Sequence, residues 1–176
     1  MEEKVVLVNP NDQVLGLMEK MQAHQEGVLH RAISVFLFDK QGRMLLQQRA
    51  ACKYHSPLLW TNACCSHPRE NESYADAAQR RLVEELGISP EIKSSFKFIY
   101  KADVGQGLWE HEMDQVFLGE FEGDFELNPD EVAKIRYISP QELAQEIELN
   151  PDHFTEWFKI IWEEHQHEIL KFNYIK

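Results

Sequence analysis

The chain opens with a short apolar run, Val5–Val8, closed by the turn-forming Asn9-Pro10-Asn11-Asp12. His30–Phe38 is apolar and rich in strand formers. Asp39-Lys40-Gln41-Gly42 then reads as a turn and Met44–Gln48 as the returning strand. From Ser73 to Leu86 the period changes: Ala75, Ala78, Leu82 and Leu86 recur at the spacing of one helix face. Ser73, with Asp76 three residues on, suits an N-cap, and Gly87 a left-handed stop. Phe96–Lys101 and Leu108–Phe121 are expected strands around Gly105-Gln106-Gly107, and Arg136–Ile138 a further short one. Pro140 opens a short helix, Gln141–Ile147. Phe154–Leu170 reads as a longer amphipathic helix with Phe154, Trp157, Phe158 and Ile161 on one side. Strands outnumber helices and interleave with them. The expected class is α+β or mixed α/β, a mixed sheet flanked by helices.

The apolar pattern continues to Ile175 with no repeat, low-complexity tract or linker, so 176 residues are expected to form one domain spanning 1–176. Thirty acidic residues against 18 basic ones leave a net charge of −12, which argues against a protein that coats nucleic acid or anionic membrane. A small anionic ligand stays open, because a local basic pocket or a metal overrides net charge. No apolar run reaches the ~20 residues of a membrane span, and the acidic start lacks the features of a signal peptide. The three cysteines, Cys52, Cys64 and Cys65, are odd in number and two are adjacent, so a disulfide framework is not expected and a reducing cytoplasm is.

Four clusters carry candidate chemistry. In Trp60-Thr61-Asn62-Ala63-Cys64-Cys65-Ser66-His67-Pro68, a thiol and an imidazole two apart share a side if the chain is extended; the alternative is a buried cysteine beside a hydrogen-bonded histidine. In Trp109-Glu110-His111-Glu112-Met113, a strand puts both glutamates on one face, which Val116 and Leu118 continue. Buried, two such carboxylates need a cation or a proton; in the other register both face solvent. His24 and His30 with His67, Glu110 and Glu112 could make a site of three nitrogens and two carboxylates, suited to an octahedral ion rather than to structural tetrahedral zinc. In the helix, Arg81, Glu84 and Glu85 share a side, where Glu85 could hold a metal–diphosphate or simply pair with Arg81 on the surface. Lys20, Arg49 and Lys53 precede this helix and could contact phosphate or be solvated.

Ser66 to Ile88 resembles the Nudix box: Gly, five residues, Glu, seven residues, then Arg-Glu-apolar-x-Glu-Glu-x-Gly-apolar. Glu72, Arg80, Leu82, Glu84, Glu85, Gly87 and Ile88 match; Ser66 stands for the opening glycine and Arg81 for the helix glutamate. In Nudix hydrolases that glutamate helps hold the magnesium used in pyrophosphate cleavage, so the alternative reading, a Nudix pyrophosphohydrolase, turns on Arg81.

The remaining motifs resemble one branch, the type I isopentenyl-diphosphate Δ-isomerases. These motifs are Glu19-Lys20…His24…His30, Arg49-Ala50…Lys53, Thr61 to Pro68, Trp109-Glu110-His111-Glu112 and the late Trp157. The resemblance implies a metal-dependent isomerase of isoprenoid precursor biosynthesis. It implies Cys65, not Cys64, and Glu112 as the proton-transfer pair, Tyr100 assisting Glu112, and Trp157 shielding a carbocation. His24, His30, His67, Glu110 and Glu112 would hold a divalent ion (manganese, magnesium or zinc). Glu85 would meet magnesium carried by the diphosphate, and Lys20, Arg49, Lys53 and Arg81 would neutralise that diphosphate. The expected partner is a small isoprenoid diphosphate, without nucleic acid or membrane, and the expected state a monomer or homodimer.

Overall fold

A computed structural model describes residues 3–172; the first two residues and 173–176, with Ile175 of the apolar pattern, lie outside it. Nine strands and four helices follow in the order β1 (Lys4–Val8), β2 (Val14–Glu19), α1 (Lys20–Glu26), β3 (His30–Phe38), β4 (Met44–Arg49), β5 (Trp60–Thr61) and β6 (Cys64–Ser66). Then come α2 (Tyr74–Leu86), β7 (Ile92–Asp103), β8 (Trp109–Glu120), β9 (Val132–Ile138), α3 (Pro140–Leu149) and α4 (Glu156–Lys171). The mixed sheet flanked by helices is the class the pattern called for.

Strand β3 is the spine. Parallel β8 pairs with it along its whole length, from His30↔Glu112 to Phe38↔Glu120. Its other neighbours are antiparallel and take it in turn: β1 at His30, β6 over Ile33–Val35 and β4 at Phe38. A strand paired on both edges and covered on both faces reads as a continuous apolar run, which explains the His30–Phe38 signal. Alternate residues feed two cores. Phe36 and Phe38 join Val116, Leu118, Trp157, Phe158 and Ile161 under α4. Ile33, Val35 and Leu37 join Phe117, Ala78, Leu82 and Leu86 under α2.

Helix α2 obeys its sequence signals. Ser73 Oγ accepts from the Asp76 N–H at 3.1 Å. Gly87 closes the helix at φ 67°, its N–H and that of Ile88 returning to the carbonyls of Val83 and Leu82.

The structure corrects other boundaries. The sequence reading held no element for β2, α1, β5 or β6. Helix α1 has only seven residues and buries just Ala23 and His24, too little for a periodic signal; Glu19 caps it by accepting from the Met21 and Gln22 N–H groups. Strand β7 starts four residues before Phe96, where Lys93, Ser94 and Ser95 are exposed and carry no alternation. Phe154 does not belong to the last helix: it is extended and bridges Trp60, and α4 starts at Glu156. No helix among the described residues is long and apolar enough to cross a membrane.

Candidate active site

Strand register assembles one side of the site. His30 of β3 and Tyr100 of β7 both sit opposite Glu112 of β8. One row across three strands therefore sets an imidazole, a carboxylate and a phenol side by side. Period two carries Glu110, Glu112 and Asp114 onto the face that Val116 and Leu118 continue, and all five are buried. The buried register of the two glutamates is the one the structure adopts. Helix α1 adds His24 and the chain after β6 adds His67. Each of the five residues His24, His30, His67, Glu110 and Glu112 offers a donor atom within 4.8 Å of the others.

The cluster has the character of a cation site. His24 Nδ1 bonds the Lys20 carbonyl at 2.6 Å and His30 Nδ1 the Val28 carbonyl at 2.8 Å. A carbonyl only accepts, so each Nδ1 carries a proton and each Nε2 is the nitrogen turned into the cluster; burial lowers the His24 imidazole, but the Glu110 carboxylate outweighs it and raises the group above its ordinary value. Both Nε2 atoms, His67 Nδ1 and Glu110 Oε2 are buried without an aligned hydrogen bond, although His24 Nε2 and Glu110 Oε2 lie 3.0 Å apart. Burial moves the His67 imidazole down to about 4, against the pull of Glu112, so it is neutral at pH 7. Burial would raise both glutamates, and Glu110 adds to the rise at Glu112, but neighbouring histidines hold both below the ordinary range. Two buried anions among three imidazoles call for positive charge, and a divalent ion would supply it. The donor set fits one.

The thiol side is as closely built. Adjacent residues of β6 face opposite ways. Cys64 is buried in the core under α2 and its Sγ lies 3.4 Å from Glu85 Oε1. Cys65 opens onto a small cavity of about 40 Å³ that Glu112, Tyr100, Trp157, Arg49 and Lys53 also line. Cys65 Sγ donates to Asn62 Oδ1 at 2.9 Å and receives the Trp157 indole N–H at 3.2 Å. The Asn62 amide is locked in turn, its Nδ2 giving to the carbonyls of Val35 and Cys64. Burial and the charge of Asp114 push the Cys65 thiol up to about 12 despite bonds from Thr61, Ser34 and Trp157. The Tyr100 hydroxyl donates to Glu112 Oε2 at 2.5 Å.

The basic residues are spread more widely. Arg49 stacks its guanidinium 5.1 Å from the Trp157 ring centre. Lys53 reaches Glu131 at 2.7 Å, and Arg81 reaches the same carboxylate at 3.2 Å. Lys20 pairs with Glu3 and lies 5.4 Å from the Tyr54 ring centre. Neither Lys20, Arg81 nor Glu85 lines the small cavity. Arg81 and Glu85, 2.7 Å apart, do not form a surface pair: Glu85 is buried and its other oxygen accepts from Gln47 Nε2.

Sequence reasoning passed over His55, Asp114 and Glu131. Asp114 had a signal, as the next residue on the face of Glu110 and Glu112. It bonds Ser34 Oγ at 2.7 Å, and burial with the charge of Glu112 drives its carboxyl well above the usual range. His55, in the loop after β4, and Glu131, just before β9, belong to no periodic segment and had none.

Known proteins resemble this chain in sequence and in fold. Residues 28–158 match the NUDIX domain. Isopentenyl-diphosphate Delta-isomerase 2 of Aromatoleum aromaticum is 50% identical over 157 residues, covering 89% of this chain and 83% of its own. Isopentenyl-diphosphate Delta-isomerase of Serratia proteamaculans is 48% identical over 161 residues, 92% and 90% of the two chains. A crystal structure from Deinococcus radiodurans superposes with a TM-score of 0.76 over 93% of this chain and 99% of that one, at 18% identity. The MutT protein of Methanosarcina mazei reaches 0.64 over 80% and 94%, at 16% identity, and both likenesses concern the fold alone. A mixed sheet with a core on each face, a NUDIX domain match over residues 28–158 and relatives near 50% identity converge: the chain belongs to the NUDIX family, within the isopentenyl-diphosphate Delta-isomerases.

Proposed function

We propose that this enzyme interconverts isopentenyl and dimethylallyl diphosphate, using Cys65 and Glu112 as the proton-transfer pair. The observation that supports this most is the opening of both groups onto one cavity, from β6 and β8 on either side of β3. One group adds a proton to the terminal alkene carbon, leaving a tertiary cation at the branched carbon. The other removes a proton from the next carbon along the chain. One proton enters and one leaves, so the product is an isomer. An alkene is a very weak base, and this step needs a well-placed acid in a dry pocket. Tyr100 orients Glu112 through its hydroxyl, and Trp157 presents its indole to the cation, a contact of about 2 kcal/mol when desolvated.

Bound among His24, His30, His67, Glu110 and Glu112, a divalent ion (manganese, magnesium or zinc) would fix Glu112 and tune its acidity. Arg49 and Lys53, which line the cavity, and Lys20 and Arg81 beyond it would neutralise the diphosphate, and Glu85 would help hold magnesium carried with it. In this reading the chain is one domain, works in the cytoplasm as a monomer or homodimer, and takes a small isoprenoid diphosphate rather than nucleic acid or membrane. The test is to incubate the protein with isopentenyl diphosphate and magnesium and identify the product. Dimethylallyl diphosphate bears the reading out; inorganic phosphate or isopentenyl monophosphate replaces it with hydrolysis.

A further inference from the structure

One buried histidine at the site has no task in this scheme. His55 lies in the loop between β4 and β5 and is 3% exposed. Its Nε2 stands 3.0 Å from Glu110 Oε1, and its Nδ1 3.4 Å from Ser56 Oγ. The ring is held edge-on to Trp157, with centres 5.6 Å apart, and Arg49 Nη2 donates to its carbonyl at 3.2 Å. It is outside the set of five converging donors. An ionised carboxylate only accepts, so His55 Nε2 carries the proton that joins them, whether the ring is neutral or charged.

This leaves the two oxygens of Glu110 unequal. Oε1 is engaged by His55, while Oε2 is buried toward His24 without an aligned hydrogen bond. Rotation of the carboxylate about its last torsion would exchange the two. We propose that His55 is a positioning residue: it holds Glu110 by Oε1 and so keeps Oε2 turned to a divalent ion among His24, His30, His67 and Glu112. The proposal rests on the reading of that cluster as a metal centre. Hydrogen-bond partners behind metal ligands typically change affinity ~10–100-fold. The loop that carries His55 also carries Lys53 and follows Arg49, so the same segment serves cation and diphosphate.

Two nearly isosteric variants isolate the effect, because Gln keeps an N–H donor that Met lacks. Mn2+ is titrated into the metal-stripped full-length wild type, H55Q and H55M. Free Mn2+ is read by electron paramagnetic resonance, and the melting temperature of each apo protein is recorded. We expect H55M to bind Mn2+ ~10–100-fold more weakly than wild type and H55Q to recover most of that loss. A merely structural role would shift the melting temperatures without that split in affinity. Equal affinity in H55M and wild type, or equal weakening in both variants, overturns the proposal. If H55M does not fold, H55Q decides: affinity within a few-fold of wild type supports the role, and a loss of tenfold or more rejects it. A wild type that binds no Mn2+ overturns the metal-centre reading itself, and the role of His55 with it.

Discussion

Cys64 and Cys65 are chemically identical and one residue apart, yet the strand sends one into a core and the other into the cavity. Cys65→Ser should therefore cost roughly 10²–10⁴ in turnover with fold retained, because a hydroxyl cannot stand in for the thiol in proton transfer. Cys64→Ser should cost mainly packing, about 1–2 kcal/mol. Turnover and deuterium uptake from solvent, measured in both variants, check this; a dead Cys64→Ser beside an active Cys65→Ser would move the thiol assignment. Arg81 needs a different substitution. Its removal strands the buried Glu85, so Arg81→Ala confounds binding with folding. Arg81→Lys keeps the charge but loses the planar fork, and should raise KM about tenfold with the melting temperature little changed. An unchanged KM would reject a diphosphate role for Arg81.

Helix α2 shows how a local signal becomes a tertiary constraint. A Cβ at Gly87 would meet Glu126 at 2.6 Å from its Cβ and 2.9 Å from its carbonyl oxygen, at a φ of +67°. Gly105 shares the left-handed conformation, φ +84°, but a Cβ there meets nothing within 4 Å. Gly105→Ala should lose only the conformational term of about 1–2 kcal/mol. Gly87→Ala should lose about 2–4 kcal/mol, since backbone of the loop between β8 and β9 must also give way. Thermal or denaturant unfolding of the pair measures the difference, and equal losses would show that the close approach at Gly87 is relieved without cost.

Across the whole molecule, Asp12 ties separate parts together. From the β1–β2 turn it accepts from Arg31 of β3 at 2.8 Å, Lys97 of β7 at 2.5 Å and the Tyr74 hydroxyl of α2 at 2.8 Å. Burial raises its carboxyl, but these donors outweigh it and the group sits below its ordinary value. A folded pKa below the unfolded one stabilises fully above the unfolded value near 4, and the gain is lost as pH falls through the folded value. Asp12→Asn should thus destabilise by about 1–3 kcal/mol at pH 7, with the gap to wild type narrowing as pH falls below about 4, the unfolded value. Melting curves over that range test it; a gap independent of pH would mean that the charge of Asp12 contributes nothing.

The sequence by itself determined what local chemistry controls. The caps of α2 at Ser73 and Gly87, the apolar run of β3, the alternation through Glu110 and Glu112, and the opposed faces of Cys64 and Cys65 all follow from periods of 3.6 and 2 and from backbone preferences of single residues. The five-residue cluster was legible as a set of residue types. What brought it together was the pairing of β8 and of β6 with β3, a long-range register that no local pattern encodes. Only the tertiary structure decided that Glu85 is buried, that Glu131 binds both Lys53 and Arg81, and that His55 reaches Glu110. Each of those side chains gains its partner from an element distant in the chain. His55 and Glu131 stand on irregular loops, where no periodicity shows which way a side chain will turn.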